Sequence, residues 1–175
     1  MSSDKPDISY GVERAMAASP DAIYAVLADP SRSLAWSGKD APMIFRLRAL
    51  QGAPGPQSVG DTWTSSGVIG YFKFQDRSTV VTAQPGRAFG FDTESTVPRK
   101  LRPTWYGRFE NRYTIRPNGT GSIVTYTCAG YATNYIAFMW WPGFKVGTRA
   151  MFTMLIKRTL KKLERQAART EARAA

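Results

Sequence analysis

The last long stretch of the chain, roughly Phe144 to Arg169, most constrains what this sequence can fold into. Apolar residues recur there at steps of three and four, which places them on one face of a single helix. These residues are Met151, Phe152, Leu155, Ile156, Leu160 and Leu163. Basic residues fall between them and form the opposite face, and Pro142 and Gly143 separate the helix from the preceding chain. An isolated amphipathic helix is marginal in water, so the rest of the chain has to supply a surface that covers the apolar face.

Most of the upstream sequence has the two-residue apolar period of β-strands. The clearest strand begins at Trp105, where the odd positions are largely apolar and the even positions are mostly charged. Seven such strands are predicted, with two short helices after the first strand, and Ser19-Pro20 has the residue types that begin a helix. Gly67 to Gly70 is interpreted as a turn, and Asn118-Gly119 as a hairpin. The prediction is an α+β fold in which an antiparallel sheet is closed over by the long C-terminal helix.

Length and composition narrow the possible classes of protein. The 175 residues contain no histidine and one cysteine, Cys128, so internal disulfides and histidine-dependent triads are excluded, and no metal or other cofactor is predicted. The first ten residues lack the features of a signal peptide, and no apolar run is long enough to span a membrane. We therefore expect a cytoplasmic protein with one domain of 1–175, a core of about 8–167 and loose tails at 1–6 and 170–175.

The positive charge of the chain is concentrated in two segments. The formal net charge is +11, and residues 145–175 contain nine Lys and Arg against two Asp and Glu. Residues 96–116 contain six basic residues against one acidic residue. Nucleic acid, anionic lipid headgroups or an acidic ligand could use such a surface, and an ordinary solvated face is the alternative. No recognition motif accompanies the charge, so nucleic acid is not favoured.

Three sequence segments resemble the SRPBCC superfamily, the START-like helix-grip proteins that include lipid-transfer domains and the polyketide cyclase/dehydrase group. They are Ala18–Pro30 followed by Trp36, Val59–Trp63, and the pairing of Tyr113–Pro117 with Gly119–Thr125. The resemblance spans about residues 8–167. It implies a curved antiparallel sheet that grips the C-terminal helix, with a deep apolar cavity between them. Members bind sterols, phospholipids, quinones, polyketides or plant hormones, a minority are enzymes, and no universal catalytic residue can be carried over.

Under this interpretation the inward faces of the strands and the helix line a ligand site. The predicted ligand-binding residues are Trp63, Phe72, Phe74, Phe89, Phe91, Trp105, Phe109, Asn111, Tyr113, Tyr126, Met151 and Leu155. The alternative for each of them is simple core packing. Asn111 differs because a buried amide without partners costs about 1–3 kcal/mol, so it either meets another core polar group or binds the ligand.

Two functions are compatible with these residues. The first is binding of a small hydrophobic ligand (a lipid, a polyketide or a quinone-like molecule), with a carrier role. The second is a polyketide cyclase or dehydratase that works without histidine or metal, with Asn111 and Asp76 as candidate catalytic residues. Asp76 faces inward only if the strand parity holds, and exposed pairing with Arg77 or Lys73 is the alternative.

The apolar segment 136–144 leads directly into the basic helix. It either seals one end of the cavity or presents an apolar patch to a partner. Tryptophans beside basic residues suit a lipid interface. We therefore expect docking at anionic membranes through Trp140, Trp141, Lys157, Lys161 and Lys162, which would make the protein peripheral at the membrane.

Overall fold

The structure, a computed structural model, describes residues 5–37, 45–69, 71–98, 103–132 and 142–174. These residues form seven strands and three helices. The strands are β1 (Ile8–Met16), β2 (Phe45–Gln51), β3 (Thr62–Ile69), β4 (Phe72–Gln84), β5 (Ala88–Val97), β6 (Trp105–Asn118) and β7 (Gly121–Ala132). The helices are α1 (Pro20–Leu27), α2 (Pro30–Trp36) and α3 (Pro142–Ala174).

All seven strands belong to one curved, open antiparallel sheet. Their order is β1-β7-β6-β5-β4-β3-β2, so every strand after β2 lies beside its neighbour in sequence, and β1 closes the other edge against β7. Gly119, with a φ of 60°, turns the chain between β6 and β7 as the Asn-Gly pair predicts. The long helix α3 packs across this sheet. The predicted α+β helix-grip fold is confirmed.

Each short helix begins at a side-chain cap. The Ser19 hydroxyl accepts a hydrogen bond from the Ala22 amide at the start of α1. The Asp29 carboxylate caps α2 by accepting from the Ser31 amide at 3.0 Å, and it also accepts from the Gly55 amide at 3.3 Å. Asp29 therefore holds the loop before β3 against the start of α2.

The C-terminal half of α3 is anchored in the core. Leu160, Leu163 and Ala167 are fully buried, in the same apolar cluster as residues of α1 and β1. Beside them the Arg14 guanidinium donates to the Glu164 carboxylate at 2.8 and 3.1 Å. These contacts fix the rotation of α3 and thereby decide which residues of its first half face the sheet.

The structure corrects two predictions about chain segments. Gly67 lies within β3 instead of in a turn. A Cβ at this position would meet the Arg46 carbonyl and the Phe74 ring, which explains why the strand has a glycine there. The glycine makes room for that ring. The segment 170–175, which was predicted to be a loose tail, is helical as far as Ala174. Within it, the Glu171 carboxylate accepts a hydrogen bond from the Ser19 amide at 2.8 Å.

The possible bulge in β4 also lies further along than the sequence suggested. The register shifts between Val80 and Thr82, so the alternation of β4 is unbroken from Phe74 through Asp76 to Val80. Asp76 consequently shares the inward face of Phe74, and the alternative of an exposed Asp76 is wrong. No helix in the described ranges is long and apolar enough to cross a membrane.

Candidate functional site

A cavity of about 530 Å³ lies between α3 and the concave face of the sheet. Its wall is mostly apolar and aromatic. The structure places ten of the predicted site residues in this wall: Trp63, Phe74, Asp76, Phe89, Phe91, Phe109, Asn111, Tyr113, Tyr126 and Leu155. The rings contact one another, with Trp63 and Phe91 edge to face at 5.0 Å between centroids. The part these residues take in ligand binding remains a prediction.

Three predicted residues lie outside the wall. Phe72 is 43% exposed at the end of β4 and packs on Trp105 with 5.1 Å between ring centroids. Trp105 packs against an apolar cluster of Leu47, Phe74 and Val97, and Trp105 itself does not line the cavity. Met151 is half-buried and does not line the cavity.

Phe152 takes the place that was predicted for Met151. From α3 the cavity receives Phe152, Leu155, Ile156 and Thr159, which are spaced as one helical face. The Phe152 ring stacks on Tyr10 of β1 at 5.4 Å with an interplanar angle of 10°. Phe152 belongs to the same apolar stripe of the sequence as its neighbour Met151. Only the rotation of α3 decides which of the two residues faces the cavity.

Sequence reasoning missed the other polar and aromatic residues of the wall. They include Tyr10, Trp36, Ser65, Ser78, Thr93, Ser95 and Cys128. Several of these residues could have been identified from the alternation of inward and outward positions along the strands. The inward positions of β3, β4 and β5 carry small hydroxyl residues between aromatic ones. Such residues are common on either face of a sheet, and parity alone did not single them out.

Asn111 satisfies its amide through other core polar groups. The Tyr126 hydroxyl donates to the Asn111 Oδ1 at 2.7 Å, and the Asn111 amide nitrogen reaches the Thr93 hydroxyl at 3.5 Å. Thr93 in turn lies 2.9 Å from the Ser78 hydroxyl. A line of polar groups therefore crosses the concave face from β7 to β4, within an otherwise apolar wall.

The tyrosine end of this line is strongly desolvated. Burial raises the pKa of Tyr10, Tyr113 and Tyr126. Burial also raises the pKa of the Cys128 thiol, against the lowering effect of hydrogen bonds with Tyr10 and Tyr126. These four groups are neutral near pH 7 and act as hydrogen-bonding groups instead of charges.

Asp76 is the acidic residue among the described residues of the cavity wall. Burial raises the pKa of its carboxyl group to about 6, and a hydrogen bond from Ser95 opposes this shift. Its Oδ1 atom is buried and has no hydrogen-bond partner among the described residues. The indole nitrogen of Trp36, another residue of the wall, is also buried without a partner in that part of the chain. Buried polar atoms usually have a partner, and these two atoms lack one on residues that line the cavity.

Basic side chains of α3 border the same cavity. They are Arg158, Lys161, Lys162 and Arg165. Arg158 and Lys161 also line a second hollow together with Arg14, Arg149 and Lys157, so the two hollows adjoin. Met154, 44% exposed, lies in the second hollow. The predicted membrane residues Trp140 and Trp141 lie outside the described residues.

The described residues contain no group of three or more His, Cys, Asp or Glu side chains that could hold a metal ion. Among the described residues, the cavity offers apolar packing, hydrogen bonds with hydroxyl, amide and thiol groups, the Asp76 carboxyl group with its raised pKa, and the basic side chains of α3 at its border.

A family model described as polyketide cyclase/dehydrase and lipid transport matches residues 8–168. The chain belongs to this family. The match covers the whole sheet and nearly all of α3, and it confirms the predicted SRPBCC-type relationship. Among curated proteins, none matches the sequence significantly.

Solved structures share the fold of this polyketide cyclase/dehydrase family member at low sequence identity. A conserved protein from Geobacillus kaustophilus is 16% identical with a TM-score of 0.65, over 93% of this chain and 95% of that one. The Mll3558 protein from Rhizobium loti is 18% identical with a TM-score of 0.62, over 90% and 95%. DynU16, a protein from the dynemicin biosynthetic locus, is 14% identical with a TM-score of 0.53, over 91% of this chain and 47% of that one.

Proposed function

We propose that the protein binds a small hydrophobic molecule of the lipid, polyketide or quinone type in the cavity between α3 and the sheet, and carries it. The observation behind this proposal is the aromatic-walled cavity of about 530 Å³. Pockets that enclose small ligands measure roughly 300–1,000 Å³ and combine an apolar wall with a few polar groups. The line from Tyr126 through Asn111 to Ser78 supplies such polar groups.

Solvent extraction of the purified protein followed by mass spectrometry tests this function. We expect an apolar compound to be recovered from the wild type. Leu155→Trp should reduce the recovered amount because the larger ring fills the cavity that Leu155 lines. Met154→Trp is the matched control, since the neighbouring Met154 is exposed on the same helix.

Two results would count against a binding function. One is that neither the wild type nor the Met154→Trp variant yields a compound or binds an added apolar probe such as pyrene. The other is that Leu155→Trp retains as much compound as the wild type, which would place the bound compound outside the cavity.

The second candidate function is a polyketide cyclase or dehydratase that uses the same cavity. The observation that favours it is the Asp76 carboxyl, whose pKa burial raises to about 6, close to the value that suits a general base near neutral pH. Such a base removes a proton from the carbon between two carbonyls of a polyketide. Under this alternative Asp76→Asn abolishes turnover of a synthetic poly-β-ketone thioester and Asn111→Ala reduces it. Unchanged turnover in both variants would rule out these catalytic roles.

A membrane surface is the proposed partner of the carrier. The hollow beside the cavity presents Arg149, Lys157, Arg158 and Lys161 around the exposed Met154. Anionic lipid headgroups match this combination of positive charge and exposed apolar surface. Because Arg158 and Lys161 border both hollows, docking there would bring the cavity close to the bilayer, and an apolar ligand would have a short path to it.

A further inference from the structure

We infer that Asp76, between Ser65 and Ser95, forms an acceptor site for a hydroxyl group of the bound molecule, so that the ligand is a phenol, an enol or an alcohol with an apolar body. This inference rests on the proposed binding function and specifies the chemical class of its ligand.

The strand register places these three residues in one row across the concave face. Asp76 of β4 is paired with Ser65 of β3 on one side and with Ser95 of β5 on the other. All three side chains line the cavity. The neighbouring inward position on β4 is Phe74, which also lines the cavity, so an apolar ring could pack beside a hydroxyl that reaches the carboxylate.

Asp76 differs from most of the other buried or partly buried carboxylates in the described part of the chain. Arginines pair with these, as Arg14 lies 2.8 Å from Glu164 and Arg32 lies 3.1 Å from Asp29, while Glu171 accepts from the Ser19 amide. In the described part of the chain, Asp76 has no Lys or Arg within salt-bridge distance, and its Oδ1 has no hydrogen-bond donor. A buried carboxylate without a cationic partner is unfavourable, and a hydroxyl of the ligand that reaches Asp76 from the cavity would supply a further hydrogen bond to it.

Within the described part of the chain, the other ionisable groups of the cavity wall come from β1, β6, β7 and α3. Tyr10, Tyr113, Tyr126 and Cys128 have pKa values raised by burial, so they stay neutral in weakly acidic and neutral solution. The cationic groups are those that α3 contributes, namely Arg158, Lys161, Lys162 and Arg165. Ionisation of Asp76, with its pKa of about 6, is therefore the charge change expected in the cavity between pH 5.0 and 7.5.

Paired fluorescent probes test the acceptor site on the intact protein. We would measure the dissociation constants of 1-hydroxypyrene and 1-methoxypyrene, which share an apolar body and differ in the donor. At pH 7.5 the hydroxyl probe should bind about ten-fold more tightly or better, as expected for a hydrogen bond to a charged group. This preference should fall at pH 5.0 and should disappear in Asp76→Asn.

Glu94→Gln is the matched control, because it removes a carboxylate from an exposed position on the adjacent strand β5. It should leave the preference for the hydroxyl probe unchanged. If Asp76→Asn does not fold, the pH dependence of the wild-type preference supplies the same test.

The outcomes separate this inference from the proposed function. Equal binding of both probes by the wild type, or a preference that survives Asp76→Asn, would overturn the acceptor site and leave the binding function standing. An equal loss of both probes in Asp76→Asn would make Asp76 a structural residue only. If neither probe binds the wild type, the binding function fails and the acceptor site fails with it.

Discussion

At the scale of single residues, the Asp76 carboxyl should weaken the fold at neutral pH. Its pKa is raised from 3.8 to about 6 by burial, so between these values the folded protein binds a proton that the unfolded chain has released. Stability contributed by this group is thus present below the unfolded pKa and is lost as pH rises through about 6. Asp76→Asn should increase the free energy of unfolding by about 1–3 kcal/mol at pH 7.5 and by much less at pH 4.

Urea denaturation at the two pH values measures this effect. The exposed Glu94→Gln variant controls for the loss of one negative charge. An Asp76→Asn variant that is less stable than the wild type at pH 7.5 would show that the carboxylate has a stabilising partner, and that result would contradict the desolvated state inferred for it.

Tyr126 should stabilise the fold through its hydroxyl group. This hydroxyl donates a hydrogen bond to the Asn111 Oδ1 at 2.7 Å. Tyr126→Phe therefore leaves the Asn111 Oδ1 without this donor. We expect a loss of about 1–3 kcal/mol in the free energy of unfolding. Tyr71→Phe, at a fully exposed tyrosine, should change stability by less than about 0.5 kcal/mol. Equal effects of the two substitutions in chemical denaturation would mean that water replaces the Tyr126 donor.

At the scale of secondary-structure elements, α3 serves two purposes along its length. Its C-terminal half buries Leu160, Leu163 and Ala167 in the core, whereas the half that contains Phe152 and Leu155 supplies apolar residues to the cavity. Leu163→Ala should therefore destabilise the protein by about 2–5 kcal/mol, as expected for a fully buried leucine. Met154→Ala, on the exposed side of the same helix, should change it by less than about 0.5 kcal/mol. Similar shifts of the two variants in urea denaturation would argue against this anchoring of α3.

The sequence was sufficient to predict the elements but not their rotation and local register. The alternation of β6 correctly predicted that Phe109, Asn111 and Tyr113 share an inward face, because a half-buried strand has a period of two. The stripe of α3 is wide enough to contain both Met151 and Phe152, and the burial of its distant second half selects Phe152. The face of the sheet on which Asp76 lies depends on where β4 has its bulge. Strand pairing sets the position of that bulge, and residue type does not.

Gly67 shows a related limit. Glycine is common in turns, and it is also required where another side chain approaches the backbone closely. The Phe74 ring that covers Gly67 comes from the paired strand, so only the register of β3 against β4 distinguishes the two cases.

At the scale of the whole molecule, the distribution of charge predicts how the protein meets an anionic bilayer. The basic hollow that contains Lys157 and Lys161 adjoins the cavity, and each basic residue at such a surface contributes about 1 kcal/mol to binding. The protein should co-sediment with vesicles of phosphatidylcholine and phosphatidylglycerol at low ionic strength, and less so with phosphatidylcholine alone. Added salt should weaken the binding because it screens exposed charges.

The double variant Lys157→Glu and Lys161→Glu tests whether this hollow is the contact surface. It should reduce binding to the phosphatidylglycerol vesicles at least ten-fold, because two attractive charges become repulsive. Lys73→Glu with Arg77→Glu makes the same change in net charge at exposed positions of β4 and should retain most of the binding. Equal losses in the two double variants would mean that net charge alone attracts the protein to the vesicles. If the wild type ignores anionic vesicles at low salt, the basic face of α3 is a solvated surface, and the proposed ligand binding does not involve docking at a membrane through it.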